Sequence, residues 1–182
     1  MNVAVFGGSF NPPHVAHVLA CTLLLSVEEI DSVLVVPAYK HPFAKSLAPF
    51  QDRVTMCELA MGWIAHVQVS RVEEEMGGES RTLRTLEHLA RENPEWVLRL
   101  VIGADILAEA PRWFGFDEIG RIAPPIVLAR AGFDASGVGP ALLPEVSSTQ
   151  VRAAVARGDW TVVERLVPRR VVAFIREAAL YR

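Results

Sequence analysis

Five short apolar runs, separated by segments with helical spacing, constrain the fold of this chain more than any other feature. They read NVAVF, SVLVVP, HVQVS, VLRLVIG and PIVLAR, and ALLPEV is a weaker sixth run. Runs that are apolar on both faces are typical of strands buried in a parallel sheet, and parallel strands require crossover connections, usually helices. The alternation therefore predicts an α/β fold with a doubly wound, mainly parallel sheet.

The chain length and the tail predict one domain with a helical end. A chain of 182 residues that is 51% hydrophobic can bury one sizeable core. We expect a single domain over residues 1–182, with an α/β core at 1–146 and a helical C-terminal portion at 147–182. Pro168 can open the last helix. The apolar face of that helix packs either inward or on a second copy of the chain, so both a monomer and a homo-oligomer are alternatives.

Charge and cysteine usage exclude several classes of partner. The formal net charge is −3, which gives no general attraction for nucleic acid or an anionic membrane. The longest apolar stretch, VLACTLLLSV, is too short to cross a bilayer and follows no basic leader. Cys21 and Cys57 lie in apolar helical patterns without metal-ligand spacing, which is typical of core thiols in a reducing cytoplasm. We therefore expect a cytoplasmic protein with a local site for a small molecule.

The first candidate site is GGSFNPPHVAH, residues 7–17, directly after the first apolar run. In an open α/β sheet, the first strand-to-helix turn is a common phosphate site. Gly7 and Gly8 allow a sharp turn and a close approach of the backbone to a ligand. His14 and His17 are three residues apart, so in a first helical turn they share one face. The alternatives are an ordinary turn with capping histidines, or a metal pair that lacks a third ligand.

The second candidate site is SSTQVR, residues 147–152, which starts a helix after the weak run LLPEV. Serine and threonine are common N-caps, so an ordinary helix start is one interpretation. At the carboxyl edge of the sheet, the same helix start would offer N–H groups, the hydroxyls of Ser148 and Thr149, and Arg152 to a phosphate. Two helix N-termini would then bind one polyphosphate.

These two segments resemble the nucleotidyltransferase superfamily of adenylyl- and cytidylyltransferases, whose motifs are GxFxPxHxGH and ISSTxxR. Asn11 stands where aspartate is frequent, Ala16 replaces the usual glycine and Val146 replaces isoleucine. Further segments are similar to the nicotinate-nucleotide adenylyltransferase branch: VIGAD followed by PRWFGFDEI, RTLRTL, and the ending VPRRVVAFIREAALY. In this resemblance, which runs along the whole chain, Arg81 and Arg84 replace an expected tyrosine and aspartate.

The resemblance implies a Rossmann-like fold and the reaction of ATP with nicotinate mononucleotide, giving deamido-NAD and pyrophosphate in NAD biosynthesis. It implies Mg²⁺ carried by the ATP phosphates, no metal ligand from protein side chains and no tightly bound organic cofactor. The residues it implies in catalysis are His14, His17, Lys40 and Arg152, with Lys45 as the alternative lysine. Those it implies in ATP binding are Gly7, Gly8, Ser9, Phe10, His14, His17, Gly103, Asp105, Ser148, Thr149 and Arg152. Those it implies at the pyridine nucleotide are Lys40, Thr82 and Trp113.

Two alternatives to this function stay open. The preferred acceptor could be nicotinamide mononucleotide, or the chain could be a non-catalytic nucleotide-binding protein on the same fold. Backbone amides at Thr82, aided by Arg81 or Arg84, would favour a carboxylate over a carboxamide. Outside the site, VEEEMGG is expected as a solvated turn and GFDASGVGP as a loop.

Overall fold

The strands of the computed structural model, which describes residues 1–40, 47–104, 113–129 and 143–182, form one parallel sheet. Within these residues the strands are β1 (Asn2–Gly8), β2 (Ser32–Pro37), β3 (Val67–Val69), β4 (Val97–Gly103) and β5 (Pro125–Leu128). Their order is β3-β2-β1-β4-β5, and every neighbouring pair is parallel. The chain order reverses between β1 and β4. The carboxyl ends of these two strands thus form the crevice where open α/β sheets bind ligands.

The helices connect the strands and form the end of the chain. Within the described residues they are α1 (Val15–Val27), α2 (Phe50–Met61), α3 (Val72–Met76), α4 (Thr82–Glu92), α5 (Phe116–Ile122), α6 (Ser148–Ala156), α7 (Trp160–Leu166) and α8 (Arg169–Glu177). Leu86 and Leu89 are buried on one face of α4, which ends at Asn93 before Pro94. Pro168 is the N-cap of α8. The predicted start of the last helix at Pro168 is confirmed.

Two apolar clusters pack on opposite faces of the sheet. Val33 and Val35 of β2 face α1, α2 and the three C-terminal helices. Leu34 and Val36 face α3, α4 and α5. Successive residues of a strand point to opposite faces, so a strand that is apolar at every position serves both layers. The doubly wound α/β fold predicted from these runs is confirmed.

Two local expectations differ from the structure. The weak sixth run contains no strand within residues 143–146, where Leu143 makes a single bridge by donating its N–H to the Ala129 carbonyl at 2.9 Å. The acidic segment VEEEMGG is not a solvated turn, because its first five residues form α3 and bury Val72. The predicted loop GFDASGVGP lies outside the described residues. Across the described ranges, every helix is too short or too polar to cross a bilayer.

Candidate nucleotide site

A cavity of about 820 Å³ opens at the carboxyl ends of β1 and β4. This volume is in the range of small-molecule sites, which are commonly about 300–1,000 Å³. Of the residues predicted for the site, those that line it are Gly7, Gly8, Ser9, His14, His17, Thr82, Gly103 and Trp113. Predicted residues from three separate strand-to-helix connections, those after β1, β3 and β4, therefore meet around one space.

The two glycines complete β1 instead of forming the turn. Gly7 and Gly8 pair with Val36 and Pro37 of β2, and the sharp turn comes at Phe10, whose φ is +44°. A Cβ at Gly8 would lie 3.2 Å from the Phe10 ring, whereas a Cβ at Gly7 would meet nothing within 4 Å. Gly8 therefore makes room for Phe10, and Gly7 leaves the strand end open to the cavity. The predicted position of the glycine turn is wrong by two residues, since strand pairing continues through both glycines.

The two histidines lie together at the start of α1. His14 is the N-cap, with 4% of its surface exposed, and His17 follows in the first turn. Their rings stack with centroids 3.8 Å apart. His17 Nδ1 accepts a hydrogen bond from the His14 backbone N–H at 3.0 Å. Because Nδ1 is an acceptor, a neutral His17 holds its proton on Nε2 and can donate it to a ligand oxygen.

Two neighbours support this pair. Phe10 is 2% exposed, and the edge of its ring meets His17 with centroids 5.0 Å apart. Phe10 buries its ring against His17, and its predicted contact with ATP stays a prediction. Ala16, in the place of the family's usual glycine, is buried and lines the cavity.

The start of α6 contacts the loop at residues 9–13, which we call the first loop. Ser147 caps α6 by accepting the Gln150 N–H at 3.1 Å. Ser148 Oγ donates to the Pro12 carbonyl at 2.9 Å, and Arg152 donates to the Asn11 carbonyl at 2.8 Å. The two candidate segments, far apart in sequence, are thus in direct contact.

The second hydrogen bond of Arg152 goes to Thr149 Oγ1 at 3.1 Å. A guanidinium carries five N–H donors, so these two bonds leave donor capacity for an anion. Arg152, Ser148 and Thr149 lie beside the cavity rather than in its lining. Ser148 and Arg152 bond the first loop directly, and Thr149 is connected to it through Arg152.

Two side chains that the sequence analysis missed complete the support of the first loop. Arg53 of α2 is 1% exposed and donates to the Ser9 and Ala48 carbonyls, both at 3.0 Å. Tyr181 Oη donates to Asn11 Oδ1 at 2.9 Å. An arginine in the apolar stripe of a helix is a sequence signal for such a role, because a buried guanidinium must find acceptors.

Asn11 stands where the GxFxPxHxGH motif frequently has aspartate, and its hydrogen bonds explain why asparagine fits there. Its Oδ1 also accepts the Ala48 N–H at 3.0 Å, and the residue is 2% exposed. Both bonds use only the carbonyl oxygen, so an amide serves as well as the aspartate that is frequent in the family. The substitution preserves the acceptor while removing a negative charge near the site.

Burial shifts the pKa values of the side chains that support the first loop. Burial raises the pKa of Tyr181 above its usual range, with Arg152 and Arg53 acting in the opposite direction. Its hydroxyl therefore stays protonated and donates. Burial lowers the pKa of Arg53, but a guanidinium remains charged at neutral pH. Burial also raises the pKa of the Cys21 thiol to about 12, in keeping with the predicted core role.

Lys40 follows the end of β2 and is exposed. Its backbone is paired with Ser80: Lys40 N–H donates to Ser80 Oγ at 3.1 Å, and the Lys40 carbonyl accepts the Ser80 N–H at 2.9 Å. Lys40 Nζ lies 5.4 Å from the Tyr39 ring centroid and outside the cavity lining. Lys45, the alternative lysine, and Asp105 lie outside the described residues.

Arg81 and Arg84 have different environments. Arg81 lines the cavity, pairs with Glu79 at 3.1 Å and lies over the Phe114 ring, 5.9 Å from its centroid. Arg84 donates to the carbonyls of Met76 and Gly77 and so satisfies the end of α3. Of these two arginines, only Arg81 is placed to meet a ligand.

The described part of the chain offers no group of three His, Cys, Asp or Glu side chains that could hold a metal ion. In nucleotide sites Mg²⁺ commonly keeps several waters and is bound through substrate phosphates together with one or two carboxylates.

The chain is similar to known proteins along its whole length. The cytidylyltransferase-like family model matches residues 5–154. A probable nicotinate-nucleotide adenylyltransferase of Anaeromyxobacter dehalogenans is 44% identical, covering 99% of this chain and 96% of the relative. One from Myxococcus xanthus is 41% identical, covering 100% and 95%.

Among solved structures, the nicotinic acid mononucleotide adenylyltransferase of Plasmodium falciparum, complexed with NaAD, superimposes with a TM-score of 0.84. It is 17% identical, and the match covers 99% of this chain and 97% of the other. At this identity the likeness concerns the fold. The fold and the cytidylyltransferase-like match define a nucleotidyltransferase. Within that class, this chain belongs to the nicotinate-nucleotide adenylyltransferase family.

Proposed function

We propose that this chain transfers the AMP part of ATP to nicotinate mononucleotide, giving deamido-NAD and pyrophosphate. The observation that carries the proposal is the contact between the two candidate segments, where Ser148 and Arg152 hydrogen-bond the first loop beside the paired histidines. This arrangement gathers neutral and cationic donors around one space. Such a set suits a polyphosphate, which offers many acceptor oxygens and a high negative charge.

The phosphate side aligns ATP and stabilises charge. His17 Nε2 and His14 donate to the phosphates, and the Gly7–Ser9 backbone provides further donors. Arg152, with the Thr149 hydroxyl and the backbone N–H of Ser148 at the start of α6, binds the phosphates that leave as pyrophosphate. The substrate is Mg·ATP, whose Mg²⁺ would offset part of the negative charge of the phosphates. Fixed donors of this kind act most strongly where charge develops in the transition state.

The attacking group needs no protein base. It is the phosphate of the mononucleotide, whose second pKa is about 6, so it is largely a dianion at neutral pH. An oxygen of this phosphate attacks the α-phosphorus of ATP in line with the bond to the leaving pyrophosphate. A new P–O bond forms as the bond between the α- and β-phosphates breaks. Lys40 is the lysine proposed to approach the reacting phosphates from the acceptor side.

The acceptor side recognises the pyridine and its substituent. Trp113 is half-buried, lines the cavity and can stack on a pyridine ring. Thr82 is the first residue of α4, so its N–H is directed outward toward an anion. Arg81 adds a cation whose present partner, Glu79, forms only an exposed ion pair of small net stability. Together these groups favour a carboxylate over a carboxamide.

The test is pyrophosphate release from Mg·ATP with nicotinate mononucleotide or nicotinamide mononucleotide as acceptor. We expect steady release with both ATP and the nicotinate compound present, and a clear preference for that acceptor over the amide. A preference for the amide would overturn the substrate assignment. Tight ATP binding without pyrophosphate release would instead support the non-catalytic alternative.

A further inference from the structure

Glu73 of α3 lies in the wall of the cavity, and donors from three different segments bind its carboxylate. The Tyr39 backbone N–H donates to Oε2 at 3.0 Å, and Ser80 Oγ donates to the same oxygen. Thr85 Oγ1 donates to Oε1 at 3.0 Å. Neither the acidic composition of the segment nor the resemblance singled out this residue.

The donors that Glu73 binds come from two walls of the acceptor side, which are the segment after β2 and the start of α4 with the residues just before it. Tyr39 immediately precedes Lys40, and Thr85 lies one turn after Thr82 on α4. Ser80 links the two, because it also accepts the Lys40 N–H at 3.1 Å. One carboxylate therefore joins the end of β2 to the start of α4. Hydrogen bonds to an ionised acceptor are about twice as strong as those between neutral groups.

This role also explains why a carboxylate is tolerated beside a site for an anionic substrate. A free carboxylate there would repel phosphate and the nicotinate carboxylate alike. In Glu73 both oxygens already accept hydrogen bonds from the protein. Its charge is thus spread over fixed donors of the two walls.

We propose that Glu73 is a positioning residue that sets the spacing between Lys40 and Thr82 and thereby the affinity for the pyridine nucleotide. This inference rests on the proposed function for the identity of the ligand. The three hydrogen bonds of Glu73 lie on the acceptor side and do not involve the first loop or α6, whereas Glu73 affects Arg53 only through its charge. Loss of Glu73 therefore changes acceptor binding more than ATP binding.

The experiment compares Glu73→Ala with Glu75→Ala, an exposed glutamate of the same helix that undergoes the same loss of charge. For Glu73→Ala we expect the KM for nicotinate mononucleotide to rise about tenfold or more and the KM for ATP to change less than about twofold. Glu75→Ala should keep both KM values. Glu73→Gln should recover the acceptor KM to within about threefold, since its carbonyl can accept from Tyr39 and Ser80 while Thr85 accepts from its amide.

Amide hydrogen exchange tests the linkage without turnover. Glu73→Ala should speed exchange at Tyr39, Lys40 and Ser80, while the amides of α1 keep wild-type protection. The proposal is overturned if Glu73→Ala changes both KM values equally or keeps slow exchange at Tyr39 and Ser80. It is also overturned if Glu73→Gln does not recover the acceptor KM. If the wild type releases no pyrophosphate but the exchange pattern holds, the linkage stands and the proposed function fails.

Discussion

The phosphate side and the acceptor side of the cavity are built differently. On the phosphate side, the first loop is hydrogen-bonded from α2, α6 and the chain end by Arg53, Arg152, Ser148 and Tyr181. On the acceptor side, Phe114 is 73% exposed, the Arg81 side chain is 53% exposed and Lys40 is exposed. The phosphate side is therefore supported by buried and half-buried groups from several distant elements, and the acceptor side by hydrogen bonds to the one carboxylate of Glu73.

This difference matches the two chemical tasks. Transfer between phosphates requires donors held within a fraction of an ångström of the reacting oxygens, and buried supports provide that precision. Recognition of a ring substituent requires only one or two groups at the rim of the site. We therefore expect changes on the phosphate side to affect kcat strongly and changes on the acceptor side to affect selectivity.

The largest effect is expected for His17→Ala. It removes the Nε2 donor proposed for the phosphates, and loss of a single such donor typically lowers kcat about a hundredfold. Pyrophosphate release in the steady state measures it. His88→Ala, in α4 and outside the cavity lining, is the control and should retain wild-type rates. A loss below about tenfold for His17→Ala would remove this residue from the transition-state contacts.

The second-largest effect on kcat is expected for Arg152→Ala, which should lower kcat about thirtyfold. The substitution removes a cation and a support of the first loop together. Lysine at this position should restore only part of the rate, since it cannot bond Asn11, Thr149 and a phosphate in the same geometry. Arg157→Ala, the exposed arginine at the end of α6, is the matched control. Equal kinetics for the two alanine variants would argue against a role for Arg152 in the site.

Tyr181→Phe should have a moderate effect, lowering the free energy of unfolding by about 1 kcal/mol through loss of one hydrogen bond to Asn11. Burial raises the pKa of Tyr181 in the folded state, so its contribution is fully present below the unfolded pKa of about 10 and is lost as pH rises further. Denaturant unfolding at several pH values measures both. The wild type should lose stability above pH 10 more steeply than the variant; parallel curves would contradict this role.

The smallest effect is expected for Arg81→Ala. Its guanidinium is partly exposed, so its removal should reduce the preference for nicotinate over nicotinamide mononucleotide by about three- to tenfold, with kcat for the preferred acceptor little changed. The ratio of kcat/KM for the two acceptors measures it. Arg84→Ala should leave the ratio as in the wild type, because Arg84 bonds the end of α3. If the kcat/KM ratio changed in Arg84→Ala but not in Arg81→Ala, Arg84 rather than Arg81 would be the arginine that selects the acceptor.

The sequence predicted the elements that have a local cause. Apolar runs such as SVLVVP and VLRLVIG became β2 and β4 over the same residues. The three-residue spacing of His14 and His17 predicted their shared face, which the stacked rings confirm. The ATP and pyridine contacts assigned by resemblance stay predictions that the variants above test.

The sheet, its alternating helices and the residue types of both candidate segments follow from the amino-acid pattern, because strand burial, helix starts and residue spacing are local properties. Folding was needed to bring Arg53, Tyr181 and Arg152 together on the first loop and to let Glu73 join the two walls of the acceptor side. These contacts join residues far apart in the chain. Their partners are largely backbone carbonyls and amides, which carry no signature in the sequence, so folding alone brings donor and acceptor together.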